Sequence, residues 1–331
     1  MLHKFFGYLL KNQVIFALFI LVSGWVFIQI RDIIISLFIS YIIMAGLLPA
    51  VEFLKKKRVP KIFSVLIPYL SIMLLLMGII FPLIPFAISQ VDSLITHFPQ
   101  IINRSAHSLG LSIEANQIKG YFDGQLTSIG QNAILFTTKV FGGLFSFLTI
   151  AIVSFYLLMF HDSFHKQFSR LFKPDIRPHV QNTLTKINEK LGAWLRGQLF
   201  LCFFIGMMTF VILTLLGLPF ALPLAILAGL LEALPTLGPI LSSIPSILVA
   251  LTVSPPLALF VALAYVLIQA VENNFLVPNV MQKAVGLNPI LVIIGITVGA
   301  NLMGVAGALL AIPFISFVIV VFQSIEQDRE K

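Results

Sequence analysis

Two stretches decide how this chain is read: PLAILAGLLEALPTLGPILSSIP at residues 223–245 and PILVIIGITVGANLMGVAGALLAIP at residues 289–313. Each opens on a proline (Pro223, Pro289), carries a glycine six residues on (Gly229, Gly295), breaks in the middle and closes on a proline (Pro245, Pro313). The first break is Pro235-Thr-Leu-Gly238-Pro239; the second runs through Gly299, Asn301, Gly304 and Gly307. From Gly217 to Pro313 only Glu232, Glu272 and Lys283 are charged. Apolar segments interrupted at corresponding places point to the substrate path of a secondary transporter, because a broken helix frees backbone groups and helix ends for a ligand. In a membrane such irregular backbone is tolerated only where protein or water satisfies it.

Composition makes the rest of the chain a membrane frame around these stretches. Of 331 residues 59% are hydrophobic and 10% charged, with mean hydropathy +1.03. Soluble domains carry about 25% charged residues. Charge-free runs cover 12–30, 33–51, 62–91, 140–160, 197–231, 233–271 and 284–325. A membrane helix needs about 20 apolar residues. The first four runs supply one span each and the last three have room for more than one element. The expected fold is an all-α polytopic membrane protein of about seven to eight membrane elements. The run at 12–30 has no small-residue cleavage site and reads as a retained helix, not a signal peptide.

Basic residues cluster beside spans, which orients the chain instead of marking it as a nucleic-acid binder. Lys4 and Lys11 put the N-terminus in the cytoplasm. Arg31-Asp32 then separates a first span from a second, and Lys55-Lys-Lys-Arg58 with Lys61 brings the chain back inside. The expected organisation is a three-span region at 1–86 and an external amphipathic segment at 87–140. A fourth span with a basic cytoplasmic amphipathic helix follows at 141–196, with Trp194 as its interfacial anchor. A transport core with the two broken segments fills 197–325, and 326–331 is a cytoplasmic tail. Residues 221–253 would span about 50 Å as one helix against a hydrocarbon core of about 30 Å. They form either a re-entrant hairpin or one broken crossing with long ends. The hairpin option makes the two look-alike segments enter from opposite faces.

The candidate site residues follow from the cost of polarity in lipid. A carboxylate at membrane depth costs several kcal/mol unless it is paired, protonated or hydrated. Glu232 precedes the first break, and Gln269, Glu272 and Asn273 share a helical face at i, i+3 and i+4. Pro235, Gly238, Pro239 and Asn301 complete the expected ion or substrate pathway. Gly229, Pro245, Pro289, Gly304, Gly307 and Pro313 are expected structural breaks, with close helix packing the better reading for Gly304 and Gly307. His161 and His165 flank Asp162 at a span end without further ligands and read as a polar face, so no metal site is expected. No cofactor is expected either. The chain has no HExxH, GxSxG or phosphate loop, which removes support for an intramembrane hydrolase or an ATP-driven pump.

The C-terminal half resembles the autoinducer-2 exporter family. The likeness is carried by Arg196-Gly197-Gln198, Gly217-Leu-Pro219, the run Gly229-Leu-Leu-Glu232-Ala-Leu-Pro235-Thr-Leu-Gly238-Pro239 with Pro245, and Glu272-Asn273 with Pro278. It continues through Leu287-Asn288-Pro289 and Gly304-Val-Ala-Gly307-Ala-Leu-Leu-Ala-Ile-Pro313. Gln282 and Asn288 stand where such proteins usually have Gly and often His. The resemblance implies a homo-oligomeric, multi-pass transporter of the bacterial inner membrane; the charge pattern, with Arg329 and Lys331 at the far end under the hairpin option, puts both termini in the cytoplasm. The resemblance also implies a small polar solute, such as autoinducer-2, or a cation exchanged for protons as cargo. A non-transporting membrane scaffold is the reading of a different class; in it Glu232 and Glu272 replacements would be silent.

Overall fold

The computed structural model describes residues 13–75, 77–78, 146–234, 237–282 and 286–329. The external segment expected at 87–140, Pro235 and Lys283 therefore lie outside the described residues. Every regular element described is helical. In chain order these are α1 (Gln13–Lys56), α2 (Lys61–Leu75), α3 (Ser146–Met159), α4 (His161–Arg170) and α5 (Arg177–Leu215). Next come α6 (Ala221–Leu231), α7 (Leu237–Val253) and α8 (Pro255–Val271). Two π-helical turns, Glu272–Leu276 and Pro278–Gln282, extend α8, and α9 is Pro289–Arg329. Among the described residues, 4 helical stretches are long and apolar enough to cross a membrane: Ile28–Lys56, Pro174–Leu215, Pro255–Met281 and Ile290–Glu326.

The turn expected at Arg31-Asp32 does not form. α1 runs unbroken through it for 44 residues. Neither residue is a helix breaker, and in the helix they pair with each other at 3.6 Å on an exposed surface. Charge alone does not end a helix whose backbone bonds are all made within the segment. The division expected at 196/197 likewise falls inside α5, a single helix of 39 residues.

The helices meet through small residues. In lipid there is little hydrophobic drive between apolar helices, so close backbone approach decides where they pack. A Cβ on Gly192 would stand 2.4 Å from the Ala45 carbonyl oxygen, and one on Gly46 would stand 2.5 Å from Leu195 Cδ2; this is the α1–α5 crossing. Gly206 and Gly229 make the α5–α6 crossing, where a Cβ on Gly229 would lie 2.7 Å from the Cys202 carbonyl oxygen. Trp194, expected at the interface, is instead 3% exposed. It packs with Ile187 and Leu191 of α5 against Leu310, Ile312 and Val320 of α9.

Both broken segments double back. In the first, Leu224 of α6 shares a buried cluster with Val249 and Ala250 of α7, and Gly238 lies directly on the backbone of Leu231 and Glu232. The arms, 11 and 17 residues long, span about 16 and 25 Å, each short of a hydrocarbon core of about 30 Å. The segment is thus a helical hairpin whose arms are each shorter than a crossing. In the second, Met303 and Gly304 leave helical geometry, Gly304 at φ 61°. A Cβ on Gly299 would stand 2.3 Å from the Gly307 carbonyl oxygen, and one on Gly295 would stand 2.2 Å from Ile315 Cδ1. Residues 20 apart in a straight helix are about 30 Å apart. Although 290–326 has the length and apolarity of one span, it is a hairpin with its turn at Met303-Gly304.

These contacts correct several expected breaks. Gly304 is the turn, through its positive φ, and Pro289 opens α9, where the Asn288 side chain accepts from the Ile290 N–H at 2.9 Å. Gly229 and Gly307 lie inside helices as close-packing positions, and Pro245 and Pro313 are carried within α7 and α9 instead of closing them. A proline removes one helical bond and clashes with the preceding turn. Buried in a hairpin, the flanking turns and the neighbouring arm hold the helix through it.

At the opposite end of α5 from the first hairpin, α4 turns 78° away from α3. Its sequence HDSFHKQFSR is polar, so it lies outside the spans. Asn188 of α5 ties it down: Nδ2 donates to Nε2 of His161 at 3.0 Å and of His165 at 3.1 Å, while Tyr41 of α1 donates to Asn188 Oδ1. Asp162 bonds His161 Nδ1 and faces Lys55. Burial, reinforced by His161, pushes His165 down from 6.5 to about 4. A depressed histidine contributes stability that is complete above its ordinary value and is lost as pH falls toward the folded value. The melting temperature of the detergent-solubilised protein should therefore fall between pH 6.5 and about pH 4. The fall should be shallower in His165→Gln; an identical slope in the variant would remove this role.

Candidate functional site

The site lies where the first hairpin turns. Helix α6 ends at Glu232 because Pro235 and the glycine-proline pair beyond it cannot continue the ladder, and an ending helix leaves its last carbonyls without partners. The Glu232 carbonyl is taken by α5: Gln198 Nε2 donates to it at 2.8 Å. Gly238, on the returning arm, presses on the Glu232 backbone, where a Cβ would stand 2.7 Å from both Cα and N. Glu232 is thus held from two sides, and its side chain is fully buried.

Glu272 reaches the same place from α8. It closes the regular helix and begins a π-helical turn, the kind of local widening found often at functional sites. It too is fully buried. The carboxyl groups of Glu232 and Glu272, 40 residues apart by their numbers, are close enough to act on each other electrostatically. Gln269 Nε2 approaches Glu272 Oε2 at 3.4 Å, a long and weak contact. Among the described residues neither carboxyl oxygen of Glu232 meets a donor. Two unit charges in contact away from water repel strongly, so such a pair has to share a proton or hold a cation.

The remaining expected residues sort by position. Gly238 and Pro239 are buried at the hairpin turn, and Gln269 is half-buried beside Glu272. Asn273, next in sequence to Glu272, is exposed. Asn301 is exposed near the turn of the second hairpin, its Nδ2 donating to the Thr297 carbonyl of its own helix. The structure therefore buries Glu232, Glu272, Gly238 and Pro239, half-buries Gln269 beside Glu272, and leaves the Asn273 and Asn301 side chains exposed.

Sequence reading did not place Gln198 and Cys202 in the site. Gln198 is 4% exposed, and Cys202, one turn on, neighbours both Gln198 and Glu232. The available signal was a glutamine opening an apolar run four residues before the chain's one cysteine; only the α5–α6 crossing shows what it faces. A second buried polar pair, Ser246 with Tyr265 at 2.8 Å, ties α7 to α8 farther along the hairpin.

The two hairpins approach from opposite ends of α5. The first follows the Leu215 end, and the second is fastened at the Arg177 end, where His179 Nε2 meets the Ser324 carbonyl at 2.8 Å. Arm 305–329 runs back along α5 from there through Val320, Ile312 and Leu310.

The sequence profile described as AI-2E family transporter matches residues 14–327. Two Bacillus subtilis (strain 168) relatives carry the name "Putative transport protein". YueF is 27% identical over 306 residues (86% of this chain, 83% of YueF), and YrrI is 26% identical over 294 residues (85% and 82%). The "AI-2 transport protein TqsA" of Escherichia coli (strain K12) is 21% identical over 290 residues, covering 85% of this chain and 83% of TqsA. With its buried carboxyl pair, its broken hairpins and a match running almost end to end, the chain belongs to the AI-2E family of transporters.

Proposed function

We propose that this protein is a secondary transporter that moves a small polar solute across the bacterial inner membrane, with the Glu232–Glu272 pair as the group that binds and releases a coupling proton. The observation that carries the reading is the meeting of two fully buried carboxyl groups at the turn of the first hairpin. A structural role does not need two acids in contact, whereas a pair sharing one proton can change its charge by one unit as the cargo arrives. The approach of the second hairpin from the other end of α5 supports alternating exposure of that pair to the two sides. Autoinducer-2 is one candidate cargo, by likeness to TqsA. Both termini in the cytoplasm and a homo-oligomeric assembly belong to the same proposal.

A second reading is favoured by the lack of any donor at the Glu232 oxygens. Carboxylate oxygens suit a small hard cation, so the same pair would serve sodium/proton exchange. A flux assay on purified protein in proteoliposomes separates the two. Sodium and proton gradients are imposed with and without a neutral furanosyl solute. Solute accumulation driven by a proton gradient supports the first reading, sodium-driven proton movement without solute supports the second, and no flux of either kind overturns both.

A further inference from the structure

The proposal here rests on the carboxyl-pair reading above and adds one residue to it. We infer that Gln198 is a positioning residue for the pair: its side-chain amide fixes the turn of the first hairpin through the Glu232 carbonyl, and so sets where the Glu232 carboxyl stands relative to Glu272.

Three observations combine. First, the bond from Gln198 Nε2 to the Glu232 carbonyl is 2.8 Å long and buried, and it joins α5 to the residue that caps α6. The carbonyl it satisfies is one that the helix break would leave without a partner in a medium that offers no water. Second, α5 is a firm platform at this point. The Gly206–Gly229 crossing brings the α5 and α6 backbones into contact one to two turns from Gln198, so the donor and the carbonyl cannot drift apart together. Third, Gln198 Oε1 is buried and has no hydrogen-bond partner among the described residues. A glutamine used only as a cap would place its carbonyl oxygen in contact with a donor, as buried polar atoms nearly always do. Here the planar amide, fixed by its nitrogen, keeps a neutral acceptor at the acidic turn.

The residue type is specific for this work. Asn is one methylene too short to reach the Glu232 carbonyl from the same backbone position. Glu has the reach but, when ionised, has no donor. Leu has the bulk and neither function.

The test uses full-length protein with Gln198→Asn and Gln198→Leu beside Glu272→Gln. Two measurements are made: the pH dependence of proton flux in proteoliposomes loaded with a pH-sensitive dye under a sodium gradient, and the infrared carboxyl C=O band of the purified protein during a pH titration. The band is assigned to the pair by its loss in Glu272→Gln. A positioning role predicts that flux falls about tenfold in Gln198→Leu, the loss expected of one buried hydrogen bond. It also predicts that the pH midpoint of the band moves by about half a unit or more in both variants, as a changed carboxyl environment requires. The infrared reading needs no knowledge of the cargo and holds if the sodium gradient drives no flux. A wild-type midpoint in both Gln198 variants overturns the inference while the carboxyl-pair reading stands, even if less folded protein is recovered. Wild-type flux and an unchanged band in Glu272→Gln overturn both.

Discussion

Replacing Glu272 by Gln should reduce transport by about a hundredfold or more, the scale set by removing a group that acts directly on the transferred charge. The amide keeps the shape of the carboxyl and still presents an oxygen to Gln269 Nε2, now at 3.4 Å. What it loses is the ability to take up and release a proton. Membrane insertion and the melting temperature should be unchanged or improved, because one member of a buried pair of like acids has been neutralised in place. Flux in proteoliposomes and a thermal melt in detergent check the two halves separately. Wild-type flux would remove the pair from the mechanism and return the scaffold reading; lost flux with a collapsed melt would make the residue structural.

Gly238→Val should disable the protein by a different route. A Cβ at this position would stand 2.6 Å from the Leu231 carbonyl oxygen and 2.7 Å from Glu232 N and Cα. All three obstacles are backbone, so no side chain can swing aside. Either the hairpin turn opens or α7 shifts, at about 1–3 kcal/mol for overpacking, and both movements pull Glu232 off Gln198. Transport should be lost with a lowered melting temperature, and Gly238→Ala should lie between the variant and wild type. Gly24→Ala is the matched control. Nothing lies within 4 Å of its Cβ position, on an exposed face of α1, so the change should be silent or slightly stabilising through helix propensity. Equal behaviour of the Gly238 and Gly24 variants would mean that the hairpin turn is not packed as described.

The pairing of effects at Glu232 explains why the turn is sensitive. One residue there ends a helix, receives a bond from another helix, and supplies half of the carboxyl pair. A small displacement of the backbone is therefore felt at once in the electrostatics. Packing in this region is by glycine contact, with little hydrophobic drive to restore a shifted helix.

Composition and charge were enough to read a helical membrane protein, and two glutamates in an apolar run marked the site, because a charge in lipid is costly enough to stand out in one dimension. The internal likeness of 223–245 and 289–313 correctly marked two interrupted segments. Other features needed the tertiary structure. Arg31-Asp32 looked like a loop by charge, yet α1 passes through it, since a helix satisfies its own backbone whatever its side chains carry. Pro245 and Pro313 looked like ends and are interior positions held by neighbouring arms. Glu272 was expected in a regular helix and instead begins a π-helical turn that no residue type announces, with Asn273 beside it exposed. Gln198 was legible as part of the Arg196-Gly197-Gln198 motif at the edge of an apolar run, without a partner. Its role depends on a contact 34 residues away across a glycine crossing. Sequence thus determined which groups are too costly to be in lipid without a reason, because that cost belongs to each residue alone. The fold decided which of them meet, because meeting depends on where two hairpins turn and how closely glycine lets their backbones approach α5.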